Sequence, residues 1–176
     1  KDKYKRLYEL VKRYKTGIIY CSTRKKVEQV YEALSDFGLS VTAYHAGMTD
    51  EQREEAQNAF MNRHADIVIA TNAFGMGIDR ADVRFVAHFE IPGSVEAYYQ
   101  EAGRAGRDGD EAYCELLFNH ADLRTQEFFI EGVNPGIPLI VELYELLRKH
   151  CSAETHDVMW SLEEMAERLK CRNAMQ

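Results

Sequence analysis

The chain has 176 residues, 45% of them hydrophobic and 29% charged, with a formal net charge of −7. That length and composition allow one sizeable core with a small appendage, and no apolar run approaches the roughly 18–20 residues that cross a bilayer. An acidic balance argues against a free-standing nucleic-acid binder, which is usually basic. The charge is uneven, however: residues 1–26 hold ten Lys/Arg against two acids, a net of +8 that leaves −15 for the remainder. Either a solvated basic helix or a border on a phosphate backbone accounts for it.

Tyr4, Leu7, Tyr8, Val11 and Tyr14 recur at helical spacing, so the chain opens on an amphipathic helix that Gly17 breaks. It opens without a methionine and shows no secretory signal, as expected for a segment cut from a longer cytosolic protein. Gly17 to Cys21 reads as a buried strand, Arg24 to Phe37 as a helix closed by Gly38, and Val41 to Tyr44 as the next strand. Thr49 with Gln52 forms a capping box that opens a helix to about Met61. Asp66–Ala70 and Arg84–Phe89 are further strands, Ser94 caps a helix through Ala102, and Ala112–Phe118 is a fifth strand before a helix from Ala121 to Ile130. Short apolar strands alternating with helices describe an α/β fold, a parallel sheet flanked by helices, whose ligands sit at the C-terminal strand edges. A linker is expected over 132–138, and helices over Leu139–Lys149 and after the capping box Ser161-x-x-Glu164 make a helical extension over 132–176. The four cysteines have neither disulfide-scaffold density nor zinc-site spacing; Cys21 and Cys114, in apolar strand runs, are expected to be buried thiols.

Four stretches follow strand ends. Ser22-Thr-Arg24 joins a strand to a helix, where hydroxyls cap and free N–H groups could hold a phosphate. Tyr44-His-Ala-Gly-Met48 places His45 and Gly47 after a strand, a weak signal by itself. Thr71-Asn-Ala-Phe-Gly-Met-Gly-Ile-Asp79 resembles a dinucleotide fingerprint only superficially, since Gly75-Met-Gly77 lacks the third glycine and opens no helix. Contact with a sugar–phosphate backbone and a plain structural crossover both fit this loop. Gln100-Glu-Ala-Gly-Arg-Ala-Gly-Arg-Asp-Gly109 sets Arg104 and Arg107 among small residues, as bidentate phosphate recognition requires. A salt-bridge cluster with Glu101 and Asp108 competes with that reading.

Together the four stretches resemble, in order and spacing, the second motor lobe of a superfamily-two helicase, most closely of a RecQ DNA helicase. Gly17-Ile-Ile-Tyr-Cys-Ser-Thr-Arg24 resembles motif IV, Tyr44–Met48 the motif after it, Thr71–Asp79 motif V and Gln100–Gly109 motif VI. DEAD-box relatives begin motif VI with His-Arg, where this chain has Tyr99-Gln100. The resemblance covers about residues 1–130, which places a RecA-like lobe over 1–131. It implies that Arg107 is an arginine finger on the γ-phosphate and Arg104 a second phosphate or interlobe contact. Gln100 would link Arg104 to the ATP pocket, with Asp79 and Gly77 near the nucleotide. Ser22, Thr23, Arg24, His45, Gly47, Thr71 and Asn72 would touch or position a single-stranded DNA backbone. The implied cofactor is ATP with Mg2+, bound mainly by a first RecA-like lobe, because neither Gly-x-x-x-x-Gly-Lys-[Ser/Thr] nor Asp-Glu-x-His occurs here. Implied partners are that first lobe and single-stranded or partly duplex DNA, in the cytoplasm, at the nucleoid or in a nucleus. Cys151 and Cys171 lack the four-cysteine arrangement that commonly follows this lobe, so no zinc is expected in this chain. A non-catalytic nucleic-acid-binding module is the alternative, and a Rossmann-type nucleotide enzyme is disfavoured by the glycine spacing.

Overall fold

Among the described residues, five strands form one parallel sheet in the order β2-β3-β1-β4-β5: β1 (Gly17–Tyr20), β2 (Val41–Tyr44), β3 (Ile67–Ala70), β4 (Phe85–His88) and β5 (Tyr113–Leu116). The computed structural model describes residues 2–75, 78–133, 136–151 and 158–169. The chain divides into two compact units, Lys1–Leu123 and Arg124–Gln176. Helices α1 (Lys3–Tyr14), α2 (Arg24–Asp36), α3 (Asp50–Met61) and α4 (Val95–Ala102) belong to the first unit, and α5 (Ala121–Val133) spans the division. In the second unit, α6 (Ile137–His150) begins two residues earlier than expected because Pro138 occupies its first turn, where a missing N–H costs nothing. Helix α7 (Leu162–Arg168) starts at the Ser161/Glu164 capping box, with both halves formed.

Strand side chains alternate between the two faces of the sheet. One face gathers Ile19, Cys21, Ile67, Ile69, Phe85 and Ala87 under Leu7, Leu10 and Val11 of α1 and Val27, Val30 and Leu34 of α2. The other gathers Ile18, Tyr20, Val68, Ala70 and Val86 under Phe60 of α3 and Phe74, Ile78 and Val83 of the β3–β4 connection. Because β1, β3 and β4 are covered on both faces, every position in them is buried, which is why each reads as an unbroken apolar run. Strand β5 lies at an edge and alternates between half-buried and exposed positions. Cys114 is therefore exposed, contrary to the expectation from its apolar run, whereas Cys21 is buried and its thiol pKa is pushed up by desolvation.

Helix α1 ends at Tyr14, and its C-cap Lys15 takes a positive φ (65°), so the stop precedes Gly17. Gly17 answers a packing demand instead. A side chain there would stand 2.2 Å from the Phe85 ring on the neighbouring strand, so only glycine admits that aromatic. The register sets Gly17 opposite both Ile67 and Phe85 and brings Tyr20, Ala70 and His88 level at the C-terminal edge. The loops leaving that edge carry most of the residues singled out from sequence.

Candidate nucleotide and nucleic-acid interface

At the strand-end edge, Thr23 is the N-cap of α2, its hydroxyl accepting from the Lys26 N–H at 3.2 Å. Ser22 does a different job. Its N–H donates to the Glu90 carboxylate (2.9 Å) and its hydroxyl donates to the Ile91 carbonyl (3.2 Å), bracing the β1 loop against the segment after β4. Arg24 is exposed, and its side chain lies against Gly47, on which a β-carbon would come within 3.0 Å of the Arg24 Cδ. His45 is buried; its Nδ1 accepts from the Gly47 N–H (3.2 Å) and its Nε2 faces Glu28 at 3.5 Å. An imidazole accepting at Nδ1 carries its proton on Nε2, so His45 points a donor at that carboxylate and holds its loop closed. Thr71 is buried beside Tyr44, with its N–H bonded to the Tyr44 carbonyl, while Asn72 is exposed. Six of these seven residues come from loops after β1, β2 and β3, and Arg24 follows as the first residue of α2; the strand order β2-β3-β1 sets these loops side by side at one edge.

The second group lies on the sheet face that packs against α3. Arg107 Nη1 donates to the Ile78 carbonyl (3.1 Å) and meets Asp79 Oδ1 at 3.2 Å. The Arg107 side chain is 38% exposed and that of Asp79 is 87% exposed, so the pair stands in high dielectric and contributes about 0–1 kcal/mol. Arg104 runs across Gly75: a β-carbon there would sit 2.6 Å from its Nη2, so a side chain at that position would displace the guanidinium. The Arg104 Nε is buried and has no hydrogen-bond partner among the described residues. Gln100 is exposed on α4. Gly77 lies outside the described residues.

The competing salt-bridge cluster is resolved by these contacts. Glu101 pairs with His88 (Oε2 to Nε2, 2.8 Å), and Asp108 pairs with Arg84, which holds the Asp108 carboxyl below the usual range. Neither acid touches Arg104 or Arg107 in any ion pair among the described residues. Among the described residues, the Arg104 guanidinium lies at Gly75 and that of Arg107 at Ile78 and Asp79, and neither has a strong carboxylate partner. That is the electrostatic condition for receiving an anion from outside the lobe.

Sequence reasoning missed the supports beneath these groups. His88 and Glu90 flank Phe89 at the end of β4, both buried, one reaching α4 and the other the β1 loop. Arg80, also buried, donates to the Phe60 and Ala65 carbonyls (2.6 and 3.0 Å) and to Asp82 (2.9 Å), pinning the β3–β4 connection to the end of α3. A titratable residue inside an apolar run was the available signal, since such groups are seldom buried unpaired.

A parallel five-stranded lobe with an edge strip and an arginine pair over a glycine loop defines a helicase motor lobe of the RecA-like type. Residues 2–109 match the family described as helicase conserved C-terminal domain, and the chain belongs to that family. Its sequence is of the RecQ type. It is 45% identical over 131 residues to the ATP-dependent DNA helicase RecQ of Bacillus subtilis, covering 74% of this chain and 22% of that protein. It is 53% identical over 108 residues to the RecQ of Pasteurella multocida, covering 61% and 17%. It is 46% identical over 132 residues to the RecQ-like DNA helicase blm-1 of Caenorhabditis elegans, covering 74% and 13%. The chain thus spans about a fifth or less of the length of these relatives. Among solved structures it resembles a DEAD box protein from Methanococcus jannaschii (TM-score 0.62, 27% identity, 74% of this chain and 36% of that one). The RNA-helicase Prp28 from Chaetomium thermophilum bound to ADP is similar too (TM-score 0.59, 26% identity, 89% and 35%). No helix among the described residues is long and apolar enough to cross a membrane.

Proposed function

We propose that this lobe supplies an arginine finger, Arg107, and part of a single-stranded DNA track to an ATP-driven RecQ-type DNA motor. ATP and Mg2+ are held mainly by a first RecA-like lobe, and phosphoryl transfer takes place when the two lobes close. Residues 132–176 follow as a linker and helical extension, the start of a RecQ C-terminal region. The observation that carries the reading is the release of both motif-VI arginines from Glu101 and Asp108. Among the described residues, Arg107 is tied to a loop carbonyl and to the exposed Asp79, so transferring its guanidinium to a γ-phosphate gives up little. Arg104, whose buried Nε has no hydrogen-bond partner among the described residues, is the second phosphate or interlobe contact; Asp79 lies against Arg107, and Gln100 is four residues before Arg104 in sequence.

Charge on the transferring phosphoryl group is what the arginine stabilises, and an arginine finger contributes about 10³–10⁵ in rate, or roughly 4–7 kcal/mol. Closure that brings the finger to the phosphate also moves the strip of Ser22, Thr23, Arg24, His45, Gly47, Thr71 and Asn72 against the DNA backbone. Hydrolysis becomes stepping in that way. Alone, the lobe turns over essentially no ATP, and it binds single-stranded DNA weakly with an affinity that falls steeply with salt.

The test is Arg107→Ala in the intact motor, at the nucleoid or in the nucleus where such a motor acts. DNA-stimulated ATPase falls by about 10³-fold or more while single-stranded DNA affinity stays near normal. Full turnover in that variant overturns the assignment and leaves a nucleic-acid-binding module.

A further inference from the structure

The two arginines stand above a buried polar seam that none of their expected roles requires. Tyr20 ends β1 with its hydroxyl donating to the Phe74 carbonyl at 3.1 Å. Its ring stacks on His88, with centroids 5.5 Å apart and planes 21° from parallel. His88 is 1% exposed, lies 4.9 Å from the Tyr98 ring, and reaches Glu101 through Nε2. Glu101 belongs to the last turn of α4, and its carbonyl accepts the Arg104 N–H at 3.2 Å. The Arg104 guanidinium returns over Gly75, next to Phe74, where the Tyr20 hydroxyl is already bonded. Burial raises the Tyr20 hydroxyl pKa, and Arg104 is the foremost group opposing that rise, as expected of a cation beside the phenol.

Four polar side chains thus share a face otherwise filled by Ile18, Val68, Ala70 and Val86. Such groups cost several kcal/mol to bury unless their bonds are made, and here two nitrogens, His88 Nδ1 and Arg104 Nε, have no partner among the described residues. The opposite face of the same sheet is filled by aliphatic and aromatic residues with Cys21, so packing alone does not call for the seam. Its parts converge on one thing: the start of the turn that carries Arg104 and Arg107.

We infer that Tyr20, His88 and Glu101 are positioning residues that fix Arg104, and through it the finger segment, in the orientation phosphoryl transfer needs. This inference rests on the motor-lobe reading above. Tyr20 locks the Phe74–Gly75 loop from below, the His88–Glu101 pair locks the end of α4, and Arg104 lies where the two meet. A guanidinium held within a fraction of an ångström matters because a misplacement of about 1 Å costs on the order of 10²-fold in rate.

The experiment compares Tyr20→Phe, Glu101→Gln, Arg104→Ala and Arg107→Ala in the intact motor by steady-state ATPase, single-stranded DNA binding and thermal unfolding. Tyr20→Phe and Glu101→Gln keep side-chain shape and remove one hydroxyl or one charge. Each is expected to lower kcat by about 10-fold, leaving the KM for ATP and the DNA affinity within about twofold. In the 176-residue chain, the Arg104 Nε–H signal seen by NMR is expected to exchange slowly and to collapse onto the free-arginine position in Tyr20→Phe. If neither arginine variant loses turnover, the motor-lobe reading fails and the inference falls with it. If the arginine variants lose turnover but Tyr20→Phe and Glu101→Gln keep kcat within twofold, the reading stands and the positioning role is overturned. A kcat that falls only in step with the folded fraction, with the Arg104 signal unchanged, also overturns it.

Discussion

The two faces of the sheet are built from the same strands and differ in kind. Under α1 and α2 the contacts are apolar, and the polar links lie at the rim: Lys3 to Asp122 at 2.6 Å and Arg6 to Glu115 at 2.7 Å, tying α1 to the first turn of α5 and to the edge strand. On the other face, covered by α3, α4 and the β3–β4 connection, Tyr20, His88, Glu101 and Arg80 are buried and Arg104 is half-buried. Burying polar groups weakens a core unless they are fully bonded, and even then an apolar replacement is often as stable. The first face therefore supplies stability, and the second gives some of it up for fixed geometry. In the motor proposed above, this division places the fixed geometry on the face that presents Arg104 and Arg107.

The largest effect that would test this division comes from the apolar face. Leu7 is fully buried in α1, and Leu7→Ala is expected to cost about 2–5 kcal/mol from lost transfer energy and the cavity left behind. Denaturant unfolding of the chain measures it. At temperatures where the variant remains folded, kcat of the intact motor should match wild type. A fall beyond about twofold would mean that the faces are mechanically one, and the contrast drawn here would not hold.

A smaller effect tests the edge where the faces meet. Thr23 caps α2 through the Lys26 N–H and also lies in the proposed DNA strip. Thr23→Ala is expected to cost about 1 kcal/mol of stability, the usual loss for an N-cap hydroxyl. If the hydroxyl also bonds the backbone, single-stranded DNA affinity falls by about 2–10-fold, the equivalent of one net hydrogen bond of about 0.5–1.5 kcal/mol. Stability lost with affinity unchanged would reduce Thr23 to a cap and shift the DNA contact onto Arg24 and Asn72.

Much of this was legible in the sequence, for physical reasons that also mark where legibility ends. Strands β1, β3 and β4 announce themselves because burial on both faces forces consecutive apolar residues, and caps such as Thr49/Gln52 and Ser161/Glu164 are local patterns that the backbone obeys. Three of the four motif segments follow β1, β2 and β3 at the sheet edge where such folds keep their chemistry, whereas Gln100–Gly109 ends α4 and leads into β5. Cys114 was misplaced because strand order, which makes β5 an edge, is not a local property. Glu101 stands next to the arginines in sequence, yet it reaches from α4 to His88, thirteen residues earlier at the end of β4. Pairings of that kind depend on which face each side chain occupies, and the register of two strands and a helix must be known before they can be drawn.

The smallest effect concerns the polar anchor of the second face. Asp82 accepts from Arg80, which holds its carboxyl below the usual range against the opposing influence of desolvation, with Arg63 adding at longer reach. A carboxyl whose folded pKa is depressed contributes stability that is fully present above its unfolded value of about 3.9 and is lost as pH falls through the lower folded value. The Asp82 side chain is 36% exposed, so solvent screening keeps the contribution at the scale of a surface pair, at most about 4 °C in Tm. Asp82→Asn should therefore melt below wild type at pH 7, with the difference closing as pH drops toward 3. A difference that stays constant with pH would show that the bond's shape, rather than its charge, anchors Arg80. The second face would then owe its order to hydrogen-bond geometry alone, and Arg80 would pin the β3–β4 connection through the Phe60 and Ala65 carbonyls whether or not Asp82 is ionised.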